Sequence, residues 1–308
     1  MIREIALDPQ VLSHPANIRY FLEQFDVHKG RLIAEFPKRW ASEVYRLAAA
    51  GLRPMELKRF QVHLEMLDRK LTPHDARRKY DRESKNWLQN AEVVQDEGVC
   101  PFDAIVANEN PRAHADVLVA DEVDETNKNW NVPRQLCAAR SSADCVAAAA
   151  RLLDLSREII LIDPYFDSTQ SKWKRMLKAM VSHAATSGLQ KSRIELHCCE
   201  RYGSSKHFWQ DCQDELPSWL PRDVEIVVRR WKERPDGERF HRRYLLTERG
   251  GLAFEGGLDE GSTNETTDIF LLEETLRLQR WPEYQANSTV FDADPAGPLR
   301  IVGSRVER

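Results

Sequence analysis

Residues 240–257 read FHRRYLLTERGGLAFEGG, and this stretch predicts a β-hairpin. Its first eight residues have the composition of a strand, ERGG turns the chain, and GLAFEGG returns it. Because side chains two positions apart on a strand share a face, His241 and Arg243 are expected to project together. Gly256 and Gly257 on the returning strand would allow a substrate to approach the backbone closely.

The surrounding C-terminal half alternates between strand and helix patterns, which predicts a layered α/β domain. The segment EIILI at residues 158–162 is apolar on both faces, as expected of a strand inside a helix-covered sheet. The other predicted elements are a helix from Ser141 or Ser142 through Leu153, a helix with the apolar face Trp173, Leu177, Met180 and Val181, strands at RIELHC from Arg193 and at VEIVV from Val224, a short helix in KHFWQDCQDEL, a strand at residues 268–272 and a helix at residues 273–281.

The N-terminal third is predicted to be mostly helical. Apolar residues at alternating spacings of three and four indicate a helix that begins at Pro54; they are Leu57, Phe60, Leu64, Leu67 and Leu71. Thr72, Pro73 and Asp75 are typical of an N-cap, a first-turn proline and an acidic first turn, and they predict another helix running towards Trp87. Outside this pattern lie a short apolar segment, RLIAEF, and two short strand candidates, FDAIVA and DVLVA.

Periodicity fails between about Val93 and Trp130, where acidic and polar residues dominate in ADEVDETNKN. We therefore expect the domain boundary between Ala120 and Trp130. The sequence predicts an α/β protein with a mainly helical N-terminal domain at residues 1–125. A mixed β-sheet flanked by helices is expected at residues 126–308.

Composition excludes several classes of protein. With 308 residues, 42% of them hydrophobic, the chain can bury real cores, so a folded globular protein is expected. Its 45 basic and 49 acidic residues give a net charge of −4, so any contact with nucleic acid must be local. Six cysteines without C-x-x-C spacing, no signal-peptide pattern and no apolar run of membrane-spanning length predict a reduced, cytoplasmic protein that does not cross a membrane.

The hairpin contains residue types that suit a phosphate. A neutral imidazole at His241 could attack phosphorus, and the Arg243 guanidinium could hold the non-bridging oxygens by bidentate hydrogen bonds. The Glu248 carboxylate could orient the ring. Residues 229–243 gather many arginines beside the site, which would suit a nucleic-acid backbone, although acidic residues among them dilute the field. Candidates for substrate contact are Asp163, Arg242, Gly256, Gly257 and Asp259.

The sequence H-R-R-Y-L-L-T-E at residues 241–248, followed by Gly256 and Gly257, resembles the signature of the phospholipase D superfamily. That signature is His, any residue, Lys, four residues, Asp, and then a small Gly/Ser pair. The upstream segments REIILIDPYF and RIELHC resemble the opening strand-helix-strand of the superfamily, especially of forms found in bacterial mobile-element and defence loci. The resemblance covers about residues 135–293, roughly half of the chain.

This resemblance implies a metal-independent phosphodiesterase without a cofactor, most naturally a nuclease in bacterial defence or DNA processing. His241 would form a phosphohistidine, Arg243 would stabilise the pentacoordinate phosphorus, and Glu248 would orient the imidazole. Family members normally use two copies of the motif, whereas this chain has one. The resemblance therefore implies a homodimer in which the two His241 side chains meet at a twofold axis.

Three positions depart from the signature. Arg243 stands for lysine, Glu248 stands for aspartate, and Glu255 occupies the position of the first small residue. These departures favour the alternative, a catalytically silent phospholipase-D-like scaffold that dimerises or binds protein or nucleic-acid partners, with the N-terminal domain making protein contacts. Zinc is not expected, because neighbouring strand positions point to opposite faces in the run His197, Cys198, Cys199 and Glu200.

Overall fold

In a computed structural model, the chain separates into two compact units, Ile2–Pro133 and Arg134–Arg308. The division lies just beyond the interval of residues 120–130 in which the boundary was expected. The structure describes residues 1–187, 189–200, 207–222, 224–303 and 305–307.

The N-terminal unit contains a five-stranded parallel sheet with helices on both faces. Its elements in chain order are β1 Arg3–Leu7, α1 Pro9–Leu12, α2 Pro15–Gln24, β2 Arg31–Ala34, α3 Trp40–Ala49, α4 Pro54–Asp68, β3 Leu71–Thr72, α5 Trp87–Glu97, β4 Ala104–Ala107 and β5 Val117–Val119. The strands follow the order β3-β2-β1-β4-β5, and all neighbouring pairs are parallel. The expected helices are thus accompanied by a central sheet that the sequence analysis did not predict.

Alternate residues of these strands pack into two separate cores. One core contains Ile5 and Val106 together with residues of α2, α3 and α4. The other contains Ala6 and Ile105 together with residues of α5. A strand buried on both faces shows no alternation of polar and apolar residues. For this reason RLIAEF, FDAIVA and DVLVA appear in the sequence only as short apolar segments, although they contain β2, β4 and β5.

The helix predicted from Pro54 is confirmed as α4. The helix predicted from Thr72 towards Trp87 is wrong, because Thr72 ends β3 and the next helix begins only at Trp87. A tertiary contact holds the intervening segment: the buried guanidinium of Arg78 donates to the two carboxylate oxygens of Glu4 at 3.0 and 2.8 Å. A buried ion pair with the first strand therefore overrides a local N-cap signal worth about 1 kcal/mol.

The C-terminal unit contains a mixed sheet flanked by helices, and this confirms the predicted fold class. Its elements are β6 Gln135–Ala139, α6 Ser142–Leu155, β7 Glu158–Ile162, α7 Ser171–Thr186, β8 Arg193–Cys199, α8 Phe208–Glu215, β9 Glu225–Glu233, β10 Tyr244–Thr247, β11 Gly251–Phe254, β12 Thr266–Leu271, α9 Glu274–Arg280, β13 Phe291–Ala293, β14 Leu299–Val302 and β15 Arg305–Glu307. Within the described residues the ten strands follow the order β15-β14-β9-β8-β7-β10-β11-β12-β6, with β13 also paired to β9. Strands β7, β8 and β9 are parallel, and the other pairs are antiparallel.

The elements predicted for this unit are present, with some ends shifted. Lys206, the first residue of KHFWQDCQDEL, lies outside the described residues. The first strand of the hairpin is shorter than predicted, because β10 begins at Tyr244 and leaves His241 and Arg243 before it. No helix in the described parts of the chain combines the length and the apolar character needed to cross a membrane.

We expect Arg78→Met to lower the free energy of unfolding of the N-terminal unit by about 3–5 kcal/mol, because the buried Glu4 carboxylate loses this partner. Arg77→Met is the matched control, since Arg77 is exposed and pairs with Asp75 at the surface, where ion pairs contribute little. Urea denaturation followed by circular dichroism gives both values. Equal effects of the two substitutions would show that the buried pair does not hold this segment.

Candidate active site

Most of the predicted site residues lie at the sheet edge where the parallel strands β7, β8 and β9 have their carboxyl ends. Asp163 follows β7 directly. Strand β10 runs antiparallel to β7 with Tyr244 opposite Ile162, so Arg243 enters the sheet at the same edge. Strand β11 ends beside them, because Tyr244 also pairs with Ala253. Ligands of open α/β sheets bind outside the carboxyl ends of the strands, which makes this edge the candidate site.

Glu248 lies at the opposite edge of the sheet. It follows β10, whose last residues pair with the start of β7. Its two carboxylate oxygens accept hydrogen bonds from the backbone N–H groups of Arg157 and Glu158 at 2.7 and 2.9 Å. The prediction that Glu248 orients the His241 imidazole is therefore wrong, because the whole length of β10 separates the two residues. Glu248 instead fixes the beginning of β7.

His241 is exposed, and the main chain orients its ring. Its Nδ1 lies 3.0 Å from the carbonyl oxygen of Arg239, and its backbone N–H donates to the same oxygen at 3.1 Å. Because a carbonyl oxygen only accepts, Nδ1 carries the proton of the neutral ring and Nε2 carries the lone pair. The Arg239 carbonyl thus has the orienting role that was predicted for a carboxylate.

Two residues that the sequence analysis missed, Glu233 and Phe240, hold the loop before β10. The Glu233 carboxylate, at the end of β9, accepts hydrogen bonds from Arg239 Nη1 at 2.8 Å and from the Phe240 N–H at 3.0 Å. Phe240 is fully buried and packs edge-on against Tyr284 and Phe291. One signal was available in the sequence, a large aromatic residue among the charged residues of ERFHRR.

Arg243 is half-buried beside this loop. Its guanidinium lies over the Tyr165 ring, 5.2 Å from the centroid, and Nη1 donates to the Glu255 carbonyl at 3.3 Å. Among the described residues, no carboxylate oxygen lies within 4.0 Å of the guanidinium of Arg243 or of the exposed Arg242. Other arginines of the basic stretch are paired: Arg229 with Glu195, Arg230 with Asp294, Arg234 with Asp292 and Arg239 with Glu233. Within the described part of the basic stretch, the cations with no carboxylate oxygen within 4.0 Å are therefore Lys232, Arg242 and Arg243.

Asp163 is buried and connects separate segments of the site. Its Oδ1 accepts from the Tyr165 N–H at 2.9 Å, and its Oδ2 accepts from the Leu258 N–H at 2.8 Å. Burial raises the pKa of Asp163 to about 6, while these hydrogen bonds and the charge of Arg243 act to lower it. The side chain is 1% exposed and both of its oxygens are engaged, so the structure gives Asp163 an organising role in place of the predicted substrate contact.

The glycine turn is packed by side chains of the protein itself. A Cβ atom at Gly256 would lie 2.9 Å from Thr267 Oγ1. Gly257 has a φ of +105°, and a Cβ there would lie 3.0 Å from carboxylate oxygens of Asp163 and Asp259. This packing and this backbone conformation already require both glycines. The predicted close approach of a substrate is not needed to explain them.

Acidic residues after the glycines anchor the turn to neighbouring basic residues. Asp259 is buried and pairs with Arg140 and, at 2.9 Å, with Lys172. Glu260 pairs with Arg175. Asp259 therefore neutralises cations at the edge of the site, and the structure does not show it as a free group for substrate. The pairing with Arg140 was not predicted, because the two residues are far apart in the sequence.

His197 belongs to a buried network. Its Nε2 lies 2.7 Å from the Glu195 carboxylate, and its Nδ1 accepts the Trp231 indole N–H at 3.1 Å. Arg229 donates to the same carboxylate at 3.0 and 3.1 Å. Burial lowers the pKa of His197, which favours the neutral ring. Because protein groups occupy both ring nitrogens, His197 has no free position for a metal ion.

No family model matches this chain, and no curated protein matches it. Among solved structures it is similar to Nuc, a phospholipase D family member from Salmonella typhimurium, with 11% identity and a TM-score of 0.35 over 52% of this chain and 97% of that one. It is also similar to TrmBL2, an archaeal chromatin protein described as showing a novel mode of DNA binding, with 10% identity and a TM-score of 0.25 over 49% of this chain and 50% of that one.

Glu248→Ala is expected to lower the free energy of unfolding of the C-terminal unit by about 1 kcal/mol, because two backbone N–H groups lose their acceptor. Any phosphodiesterase activity per folded molecule should remain. Glu225→Ala serves as the control, since the exposed Glu225 side chain pairs with Arg300 at the surface, where ion pairs contribute little. Thermal melts and assays corrected for the folded fraction measure both effects, and loss of activity in a folded Glu248→Ala protein would return this residue to the active site.

The destabilisation caused by Asp163→Asn should become smaller as the pH rises. In the wild type the folded carboxyl has a raised pKa of about 6, so its stabilising contribution is complete below about pH 4 and is lost as the pH rises through 6. Asparagine does not ionise, and only one of its two polar atoms can accept a hydrogen bond. The free energy of unfolding that this lost acceptor costs therefore does not change with pH. Urea denaturation at about pH 4 and pH 7 should show the difference between the two proteins shrinking by an amount on the order of 2–3 kcal/mol. A constant difference would contradict the buried, proton-accepting carboxyl.

Proposed function

We propose that the C-terminal unit is a phosphodiesterase that acts on nucleic acid through a phosphohistidine at His241. One observation carries the proposal: an exposed imidazole whose Nδ1 is held by the Arg239 carbonyl, so that Nε2 keeps the lone pair of a nucleophile. The resemblance of residues 241–248 to the phospholipase D signature supports the same assignment. A role in bacterial defence or DNA processing rests on that resemblance alone.

The chemistry follows from the two basic side chains at this edge. Attack by His241 Nε2 on phosphorus forms a P–N bond and breaks the bond to the leaving oxygen. Negative charge on the non-bridging oxygens of the pentacoordinate state meets the Arg243 guanidinium, which no described carboxylate within 4.0 Å neutralises. A second imidazole, protonated on both nitrogens, gives its Nε2 proton to the leaving oxygen; now neutral, it accepts a proton from the water that cleaves the P–N bond and releases His241.

The second imidazole would come from a second copy of this chain. His183 pairs with Asp154, and His197 is buried in β8 with both ring nitrogens engaged, so neither of these two is suited to act as the acid at this edge. His207, directly before α8, is not part of a second copy of the signature. A twofold axis that brings two His241 rings together would supply both groups from one motif. The proposal is therefore a homodimer with a shared site. The resemblance implies that this chemistry proceeds without a metal.

A catalytically silent scaffold that dimerises or binds protein or nucleic-acid partners is the second candidate. Glu255 favours it, because an exposed carboxylate directly after β11 lies at the same edge as Arg243 and repels a phosphate. Such a protein would bind nucleic acid with steep salt dependence and would show no turnover.

The test is hydrolysis of bis(p-nitrophenyl) phosphate and of labelled oligonucleotides in the presence of a chelator. His241→Ala is expected to reduce the rate by a factor on the order of 10³ or more, because the nucleophile is lost. Arg243→Ala should reduce it by roughly 10²–10³, because the charge on phosphorus loses its partner. His183→Ala is the matched control, a histidine of the same unit on α7. Unchanged activity in His241→Ala would refute the assignment, and binding without turnover by the wild type would favour the scaffold.

The same variant tests the shared site. When wild-type and His241→Ala chains are mixed under conditions that exchange subunits, mixed dimers lack one of the two imidazoles. Activity should therefore fall with the square of the wild-type fraction. A linear fall would show that each chain works alone, and sedimentation velocity would report whether dimers form.

A further inference from the structure

Tyr165 presents an aromatic ring at the candidate edge, with 41% of the residue exposed. Its backbone N–H is held by the Asp163 carboxylate at 2.9 Å. The other oxygen of that carboxylate binds the Leu258 N–H at 2.8 Å. The backbone that carries the ring is thus held to the end of β7, and the same carboxylate holds the glycine turn.

Arg243 lies between the Tyr165 ring and the proposed phosphate position. Its guanidinium lies over the Tyr165 ring, 5.2 Å from the centroid. In the proposed reaction the same guanidinium holds the non-bridging oxygens of the phosphate that His241 attacks. The Tyr165 ring therefore lies beside the group that would hold this phosphate.

A base can stack on a protein ring only if one of its faces is free. In a duplex each base is covered by its neighbours, whereas a single strand can place a base on an aromatic side chain while basic groups follow its backbone. The arginines of the basic stretch that could have widened a duplex-binding surface are paired with acids; they are Arg229, Arg230, Arg234 and Arg239. In the described part of this stretch, the cations without a carboxylate partner that could follow a nucleic-acid backbone are Lys232, Arg242 and Arg243.

We infer that the substrate of this site is single-stranded nucleic acid, with one base stacked on Tyr165 and the adjacent phosphate at Arg243 and His241. This inference rests on the proposed function and specifies its substrate class. A planar guanidinium on one side of the tyrosine ring and a base on its exposed part form a continuous stack, which suits Arg243 better than a lysine. Sequence preference is not required, because every base has an aromatic face.

The inference is tested by fluorescence anisotropy with the full-length chain carrying His241→Ala, so that binding is measured without turnover. The probes are a labelled oligothymidylate, the same oligonucleotide with abasic residues, and a duplex. Tyr165→Ala is expected to weaken binding of the oligothymidylate roughly tenfold and to have no further effect on the abasic probe. Tyr165→Phe keeps the ring and should keep the difference between the two single strands. Phe270→Ala, which removes an exposed aromatic side chain from β12, is the matched control.

The binding results distinguish failure of the stacking inference from failure of the proposed function. Equal losses on the base-containing and abasic probes would overturn the inference, because Tyr165 would then act through Arg243 and not by stacking. Unchanged binding in Tyr165→Ala would also overturn it, and cleavage of oligonucleotides by the wild type would show that the proposed function survives. A wild-type chain that neither binds nor cleaves any nucleic acid would overturn both. A melting temperature close to that of the parent protein confirms that the exposed substitutions leave the fold intact.

Discussion

The antiparallel pairing of β10 with β7 determines where every candidate group lies. Ile162 is opposite Tyr244 and Ile159 is opposite Thr247, so the residues before β10 meet the residues after β7 at one edge, and the residue after β10 meets the start of β7 at the other. Both strands are buried on both faces, so a shift of one position would move every side chain to the other face, where it would no longer fit its packing neighbours. This register therefore places Arg243 beside Asp163, and it also removes Glu248 from their neighbourhood.

At the functional edge, main-chain groups and buried side chains hold the reactive groups in place. The His241 ring is held by a carbonyl, and the loop that supplies this carbonyl is held by Glu233 and by the packing of Phe240. Asp163 fixes the opposite side of the site through two backbone N–H groups. Because these groups are already ordered, little entropy would be lost there if a ligand bound.

Local apolar patterns were sufficient to predict α6 to α9, β7 to β12 and the long helix α4, whereas the short strands β6, β13, β14 and β15 were not predicted. The N-terminal sheet was not predicted because its strands are short and buried on both faces. The structure brings Asp163, Arg243 and the glycine turn to one edge of the sheet, but their hydrogen-bond partners were not predicted. Asp163 binds an N–H 95 residues later, and Glu248 binds N–H groups 91 and 90 residues earlier, and no local pattern indicates such contacts. The strand assumed at His241 stops short because Phe240 turns into an aromatic core.

Two departures from the phospholipase D signature have physical reasons in this fold. Arg243 has a planar, delocalised cation that can lie over Tyr165 and still reach the Glu255 carbonyl, whereas an ammonium group would stack poorly on the ring. Glu248 uses both of its oxygens to bind two consecutive backbone N–H groups at the start of β7, and its extra methylene lengthens its reach across the end of the sheet. Neither substitution removes a group from the reacting edge. Glu255 is the one departure that adds a negative charge at this edge. Because the other two departures have structural reasons, the charge of Glu255 is the feature that distinguishes the catalytic interpretation from the scaffold interpretation.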